Sequence, residues 1–211
     1  MKASINSLQH HWDDAYTLKE TSKLGWFEES SEPTLTIIKS CKLNKKARIL
    51  NVGSGSSVLI DELVDLGFSN VIASDLSKES LKNLQNRMAS KKDAVDWIVD
   101  DLTNPKVLSE IKPIDLWNDR AVLHFFTEEK DQDTYFSLLK KLVKPSGYVI
   151  ISVFNTEGAT KCCGLPVKRY DKGMLTEKLG SDFTLIDSFN YIYTNPYGDA
   201  RPYVYTLFKK K

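Results

Sequence analysis

Long apolar runs are missing from this sequence. The longest are strand-sized, well short of the roughly 20 residues that a membrane-crossing helix needs. Met1 to His10 hold no hydrophobic stretch of the kind a secretory leader carries. They contain one lysine and no arginine, which also argues against a transit peptide. Cysteine is sparse and odd in number, with only Cys41, Cys162 and Cys163. Such a set cannot form a disulfide framework and points to a reducing, cytoplasmic setting. No Cys-x-x-Cys spacing exists, and two adjacent cysteines are poor ligands for one metal, so no metal site is expected. Net charge is also scarce: 29 Lys and Arg against 28 Asp and Glu leave +1. Nothing here advertises a nucleic-acid or anionic-membrane partner. No internal repeat or low-complexity linker is visible.

What is present suits one α/β domain. The chain has 211 residues, of which 41% are hydrophobic and 27% charged, enough to bury a sizeable core. Strand-like and helix-like segments alternate from about residue 33. Strands are predicted at 47–52, 70–74, 95–99, 114–118 and 148–154, with a turn at 145–147. Helices are predicted at 57–66, after Ser77, where Leu81, Leu84 and Met88 share a side, and at 128–142. This order implies βαβ units and a largely parallel sheet. Two further strand-like runs, 184–193 and 203–208, are joined by a connection too short for a crossover helix, so they are predicted to pair antiparallel.

The run Asn51-Val52-Gly53-Ser54-Gly55-Ser56-Ser57 leaves a strand and opens a helix. Glycines without Cβ atoms let a ligand approach the backbone, and a helix start offers free N–H groups. Asp75 follows about 20 residues later at a strand end, where a carboxylate can accept both hydroxyls of a ribose. Asp100 and Asp101 end the third strand. A carboxylate there can accept from an adenine amino group while Leu102 packs on the ring, and Asp101 is preferred because Asp100 can face outward. A nicotinamide dinucleotide is disfavoured, since Ser56, Ser57 and Val58 stand where a third glycine would be needed. A tight structural turn with a capping aspartate is the plain alternative.

These features resemble the class I S-adenosylmethionine-dependent methyltransferases over nearly the whole chain. Asn51 to Ser57 is similar to their first motif, with Gly53, Ser54 and Gly55 at its centre. Asp75, with Leu76, is similar to the ribose-binding acid, and Asp101 with Leu102 to the adenine side. The resemblance implies a seven-stranded Rossmann-like methyltransferase fold with a C-terminal antiparallel hairpin. It implies one domain over 1–211, with an N-terminal helical lid segment at 1–45 and the core at 46–211, and S-adenosylmethionine as cofactor. The family's first motif usually opens on an acidic residue, and here it opens on Asn51, which adds no negative charge toward the methionine end.

Two branches are similar in different places. His11-Trp12-Asp13-Asp14-Ala15-Tyr16 with Gly25-Trp26-Phe27 resembles the entry segment of methyltransferase-like protein-lysine enzymes. Leu116-Trp117-Asn118-Asp119-Arg120-Ala121 resembles a stretch of the thiopurine methyltransferases, which act on small molecules. The resemblance places Asn118 at the methionine end, with Asp119 and Arg120 bordering the acceptor. Arg120 can clamp an anion, and His124, whose ordinary pKa is about 6.5, is a candidate general base. Structural roles for both, an Asp119–Arg120 brace and a core histidine, stand beside these. Trp12, Tyr16 and Trp26 are candidates for a lid whose aromatic faces attract a sulfonium, or for ordinary helix packing. Cys162-Cys163 reads as a loop near the acceptor pocket, Arg169 and Tyr170 as weaker pocket candidates, and Lys209 to Lys211 as a solvated end. The expected activity is in-line methyl transfer to an acceptor, a small molecule ahead of a protein lysine. A non-catalytic binding module is the rival from another class.

Overall fold

The strands form where apolar residues run without alternation, because both faces of the sheet are covered. In β1 (Arg48–Val52) Ile49 and Leu50 have no exposed surface. The computed structural model describes residues 5–211. Two helices, α1 (Ile5–Leu18) and α2 (Glu32–Ser40), precede β1. Then come α3 (Leu59–Asp65), β2 (Asn70–Asp75), α4 (Lys78–Met88), β3 (Val95–Val99) and β4 (Ile114–Arg120). They are followed by α5 (Glu129–Leu142), β5 (Val143–Phe154), the two-residue strands β6 (Lys161–Cys162) and β7 (Leu165–Pro166), α6 (Lys172–Leu179), β8 (Phe183–Thr194) and β9 (Ala200–Lys210).

Seven strands make one sheet in the order β3-β2-β1-β4-β5-β9-β8. The first five are parallel, and β9 lies antiparallel between β5 and β8. The seven-stranded fold with its C-terminal hairpin is therefore present. One face carries α5 and α6, whose Tyr135, Leu139 and Leu175 pack with Leu50, Trp117 and Val149. The other carries α2, α3 and α4, whose Ile38, Leu63 and Leu84 pack with Ile49, Val71 and Leu116. Each fully buried leucine in these layers contributes about 2 kcal/mol. The strand order reverses between β1 and β4, which opens a crevice at their carboxyl ends.

The caps follow side-chain chemistry. Ser77 begins α4, its hydroxyl accepting from the Ser80 N–H at 3.1 Å. Asp171 begins α6 in the same way, accepting from Met174 at 2.8 Å. The predicted turn at 145–147 falls inside β5. Pairing with β4 jumps there from Val143 to Tyr148, and Ser146 adopts φ +63°.

Two expectations change. The segment 1–45 is not all lid: α2 is a core helix, with Leu35, Ile37 and Ile38 buried, and it meets the crevice only through its start, where Ser31 and Thr34 line the smaller pocket. Residues 1–4 lie outside the described part. Nor is the lysine end simply solvated. Lys210 ends β9, and its ammonium donates to the carbonyls of Lys140 and Val143 at 2.7 and 2.8 Å, satisfying the last turn of α5.

Candidate functional site

The turn after β1 is held by backbone geometry. Gly53 and Gly55 have φ of +57° and +51°, conformations that favour glycine. Ser54 donates its N–H to the Ser74 carbonyl of β2 at 2.9 Å. Asp75, at the end of β2, accepts from the Gly55 N–H at 2.7 Å and from the Ser77 N–H at 2.8 Å, one on each carboxylate oxygen. Burial pushes its carboxyl up to about 6, against those two hydrogen bonds. Each oxygen keeps a lone pair for a further donor.

The glycines differ in one respect from the sequence expectation. Their open sides face protein rather than ligand: a Cβ on Gly53 would lie 2.0 Å from Val122 Cγ2, and one on Gly55 would lie 2.3 Å from the Tyr16 hydroxyl. The turn is thus pressed by β4's following loop on one side and by α1 on the other. Asn51 and Asn118 face each other across β1 and β4, and the Asn118 amide donates to Asn51 Oδ1. Asn51 also donates to Ser54 Oγ at 3.0 Å. Asn118 Oδ1 is buried without a partner among the described residues.

At the end of β3 the two aspartates divide their work. Asp100 accepts from the N–H groups of Lys106 and Leu108, which shapes its own loop. Asp101 engages only Oδ1, with Thr103. Leu76, Asp101 and Leu102 line one cavity with Asp75, Gly53, Trp12, Tyr16 and Trp26. Its volume is about 540 Å³.

The aromatic lid is a connected cluster. Trp12 meets Trp26 and Phe125 edge-on at 5.8 and 4.9 Å, and Trp26 donates to the Tyr16 hydroxyl at 3.0 Å. Asp13 ties α1 down by accepting from the Ser77 hydroxyl at 2.6 Å. The stretch Lys23–Glu28 is strapped from three distant places. Arg120 donates to the Trp26 carbonyl at 3.2 Å, Tyr193 to that of Phe27, and Tyr197 to that of Lys23.

On the acceptor side the sequence reading needs correction. Asp119 lines neither this cavity nor the smaller one beside it. It is fully buried and accepts from Val122 N, Leu123 N and the Tyr135 hydroxyl, at 3.0, 3.1 and 2.7 Å. Burial raises its carboxyl to about 6. Its geometry is that of a residue that shapes the loop after β4. Arg120 does reach the cavity but carries a partner: Glu28 lies 2.7 Å away, and the rings of Tyr193 and Tyr203 stack near the guanidinium at 5.0 and 5.5 Å. Burial raises the Glu28 carboxyl, and Arg120 offsets part of that rise. The charge expected to clamp an anion is therefore already matched. His124 also borders the cavity, stacked on Phe154 at 4.7 Å and with neither ring nitrogen hydrogen-bonded among the described residues. Burial, helped by the Arg120 charge, lowers it to about 3, so it is neutral at physiological pH and cannot hold a proton as a base poised near 6.5 would.

Asn51, Ser54 and Asn118 line a small polar pocket of about 40 Å³ with Glu28 and Ser31, next to the large cavity and sharing Trp26, Gly53 and Arg120 with it. The sequence reading missed Glu28, Phe125, Phe154, Arg201 and Tyr203, which complete the walls. Arg169 and Tyr170 line neither cavity, and Arg169 instead braces the carbonyl of Thr156 at 2.8 Å.

The chain matches the model of a methyltransferase domain over residues 50–151. It is 27% identical over 161 residues to EEF1A lysine methyltransferase 2 of Danio rerio, covering 70% of this chain and 68% of that one. The protein of the same name from Mus musculus is 34% identical over 82 residues, so that match spans about a third of each chain: 35% here and 34% there. The fold superposes on a SAM-dependent methyltransferase from Anabaena variabilis with a TM-score of 0.80, at 13% identity, covering 100% and 96% of the two chains. It also superposes on the 1,6-didemethyltoxoflavin-N1-methyltransferase of Burkholderia thailandensis, solved with its acceptor and S-adenosylhomocysteine, with a TM-score of 0.70 at 19% identity and 98% and 87% coverage.

Together these likenesses support a class I S-adenosylmethionine-dependent methyltransferase. The same likenesses imply S-adenosylmethionine as its cofactor. The residues present in this methyltransferase fit that group: a carboxylate with free lone pairs beside a glycine turn, an aspartate and a leucine at the next strand end, and an unpartnered amide oxygen at Asn118. Among the described residues no cluster of His, Cys, Asp and Glu is arranged to hold a metal ion, and no helix is long and apolar enough to cross a membrane.

Proposed function

We propose that this methyltransferase acts on a small, anionic or electron-rich acceptor that enters the large cavity beneath the lid. The observation that carries this is the split of charge along the cavity. Asp75, Asp100 and Asp101 line the cavity at the ends of β2 and β3, whereas Lys161 and Arg201 come from the hairpins after β5 and join Phe125, Phe154 and Tyr203 in its lining, Arg201 lying 3.0 Å from Asp199. Of the carboxylates near that end, Glu28 is tied to Arg120 and Asp199 to Arg201, while Asp14 lines the cavity from α1. An ammonium acceptor would be repelled by Lys161, and a flat anion would meet that ammonium and the ring faces.

The bound cofactor supplies an electrophilic methyl on a sulfonium, which needs alignment more than acid–base help. Asp75 accepts the ribose hydroxyls, Asp101 and Leu102 hold the adenine, and Leu76 packs beside the ribose. Asn51, Ser54 and Asn118 receive the methionine end in the small polar pocket. Trp12, Tyr16 and Trp26 exclude water from above and turn ring faces toward the cationic centre. Arg120 positions the strap through Trp26, and His124 offers a neutral ring to the acceptor wall without taking a proton. Asp119 acts only through the loop it shapes.

A second reading is protein-lysine methylation, favoured by the names of the relatives from zebrafish and mouse. Incubating the chain and a radiolabelled donor with separated metabolite and protein fractions tells the two apart. Label in the metabolite fraction supports the first reading, and label confined to one protein band overturns it. The same lysate heated to remove endogenous enzymes controls for background transfer.

A further inference from the structure

The β6–β7 hairpin reverses direction through Cys163-Gly164, and both residues have positive φ, +52° and +78°. Such a two-residue turn favours Asn, Asp or Gly at both positions. A cysteine with a Cβ pays a steric cost there, of the kind that marks a functional position when the surroundings hold it in place. Its thiol lies 3.8 Å from that of Cys162. Both are partly exposed and line the large cavity, whereas Cys41 is buried in the core.

We propose that Cys162 and Cys163 form a reversible dithiol–disulfide couple in the cavity wall, oxidised by a low-molecular-weight disulfide such as glutathione disulfide, and that oxidation weakens cofactor binding. The Cys162 thiolate attacks one glutathione sulfur, forming a mixed disulfide and releasing one glutathione thiolate, which takes up the proton. Cys163, its proton passing to solvent, attacks the Cys162 sulfur and expels the second glutathione. Two electrons leave the dithiol, and one glutathione disulfide becomes two glutathiones.

The geometry favours a switch over a staple. Neighbouring residues have Cα atoms about 3.8 Å apart, short of the span of about 4.4–6.8 Å that an unstrained disulfide prefers. A strained bond is readily reduced again. The sulfurs already in contact at 3.8 Å leave the second attack a short path, and the neighbouring thiol draws Cys162 below the usual thiol range. The link to the cofactor runs through α1. Cys162 and Cys163 line the same cavity as Tyr16 and Lys19, and the Tyr16 hydroxyl lies where a Cβ on Gly55 of the cofactor turn would sit, at 2.3 Å. Closing the sulfurs to about 2.0 Å re-forms a turn in the wall of the cavity that α1 also lines.

The full chain is equilibrated with glutathione disulfide, acid-quenched, alkylated and analysed by intact mass and by its Cys162–Cys163 peptide. S-adenosylhomocysteine affinity is measured on the same sample by calorimetry. The expected result is a peptide two hydrogens lighter, alkylation at Cys41 alone, and affinity lower by about fivefold or more, restored by dithiothreitol. By reciprocity, bound S-adenosylhomocysteine makes the dithiol harder to oxidise by the same factor. Cys162→Ser and Cys163→Ser each gain a glutathione adduct without ring closure, and Cys41→Ser behaves as the parent. Stable glutathione adducts on the parent overturn the couple. A clean internal disulfide with unchanged affinity overturns the link to the cofactor. Neither outcome depends on which acceptor the enzyme uses.

Discussion

The nucleoside half of the cavity draws most of its wall from one stretch of chain, Gly53 to Leu102, in which each strand end adds a residue. The acceptor half is assembled from Trp26, the loop after β4, Phe154, the β6–β7 hairpin and the β8–β9 hairpin. The first half rests on backbone N–H groups donating to carboxylates. The second rests on side chains that reach across more than ninety positions, such as Arg120 to Trp26 and Tyr193 to Phe27. Donor recognition is thus local and backbone-set, while acceptor shape depends on a tertiary brace.

Breaking the brace is expected to give the largest effect. Arg120→Ala leaves Glu28 buried without its partner, a change that costs about 3–5 kcal/mol. That corresponds to a fall of roughly 10 °C in melting temperature for a chain of this size. Replacing both residues with apolar ones should cost less than the sum of the single changes. A thermal melt of Arg120→Ala within a degree of the parent would remove the brace from the account.

The next largest effect is expected at the turn. Gly53→Ala forces a left-handed φ on a residue with a Cβ and drives that atom into Val122, at a combined cost of about 2–4 kcal/mol. Stability and donor binding should fall together. Adding Val122→Ala should recover part of the loss in urea unfolding. If the second change gives no recovery, the contact is not the cause.

Asp75 sharpens the comparison on the donor side. Asp75→Ala should weaken S-adenosylhomocysteine binding by about 1.5–3 kcal/mol in calorimetry, with acceptor KM little changed. The parent's affinity should also depend on pH. On the proposed reading the ionised carboxylate accepts the ribose hydroxyls, and burial pushes it up to about 6 in the free protein. Affinity should therefore be flat above that pH and fall about tenfold at one unit below it. For stability the sign is opposite. A folded carboxyl near 6 binds a proton more readily than an unfolded one near 3.9, so this group's contribution rises as pH falls from about 6 to about 4. Affinity that does not change from pH 5 to 8 would contradict an exposed role for the charge.

The smallest effect is expected at His124. His124→Phe keeps the ring stack with Phe154 and removes two unpartnered nitrogens, so stability should change by less than about 1 kcal/mol. Turnover should show no inflection near 6.5. A pH–rate profile that loses such an inflection in the variant would restore the role of base.

The same contrast explains what could be read in advance. The strands, the antiparallel hairpin and the Ser77 cap follow from apolar runs and local hydrogen bonding, which a sequence displays directly. α6 was missed because Lys172–Leu179 buries only Leu175 and Leu179 and shows no strong periodicity, although Asp171 before it and Gly180 after it were usable signals. Asp75 and Asp101 were legible because strand ends fix their position. Glu28 was not, because nothing near residue 28 announces a guanidinium 92 positions further along. Asp119 and Arg120 are neighbours on β4, and successive strand residues point to opposite faces. That alternation sends one side chain under the loop and the other into the cavity, and it could have been applied from the sequence.

Of the four tryptophans, Trp12 and Trp26 sit in the lid, Trp117 is sealed in the core with its N–H on Tyr135, and Trp97 lies on the far strand with its N–H on Lys92. Two emitters therefore watch the cavity while two report on the scaffold. A shift of α1 over a bound nucleoside would disturb the edge-on contact between Trp12 and Trp26 and the hydrogen bond from Trp26 to Tyr16. The fluorescence of this protein would then gauge that movement from within, in a stopped-flow cell and without any attached dye.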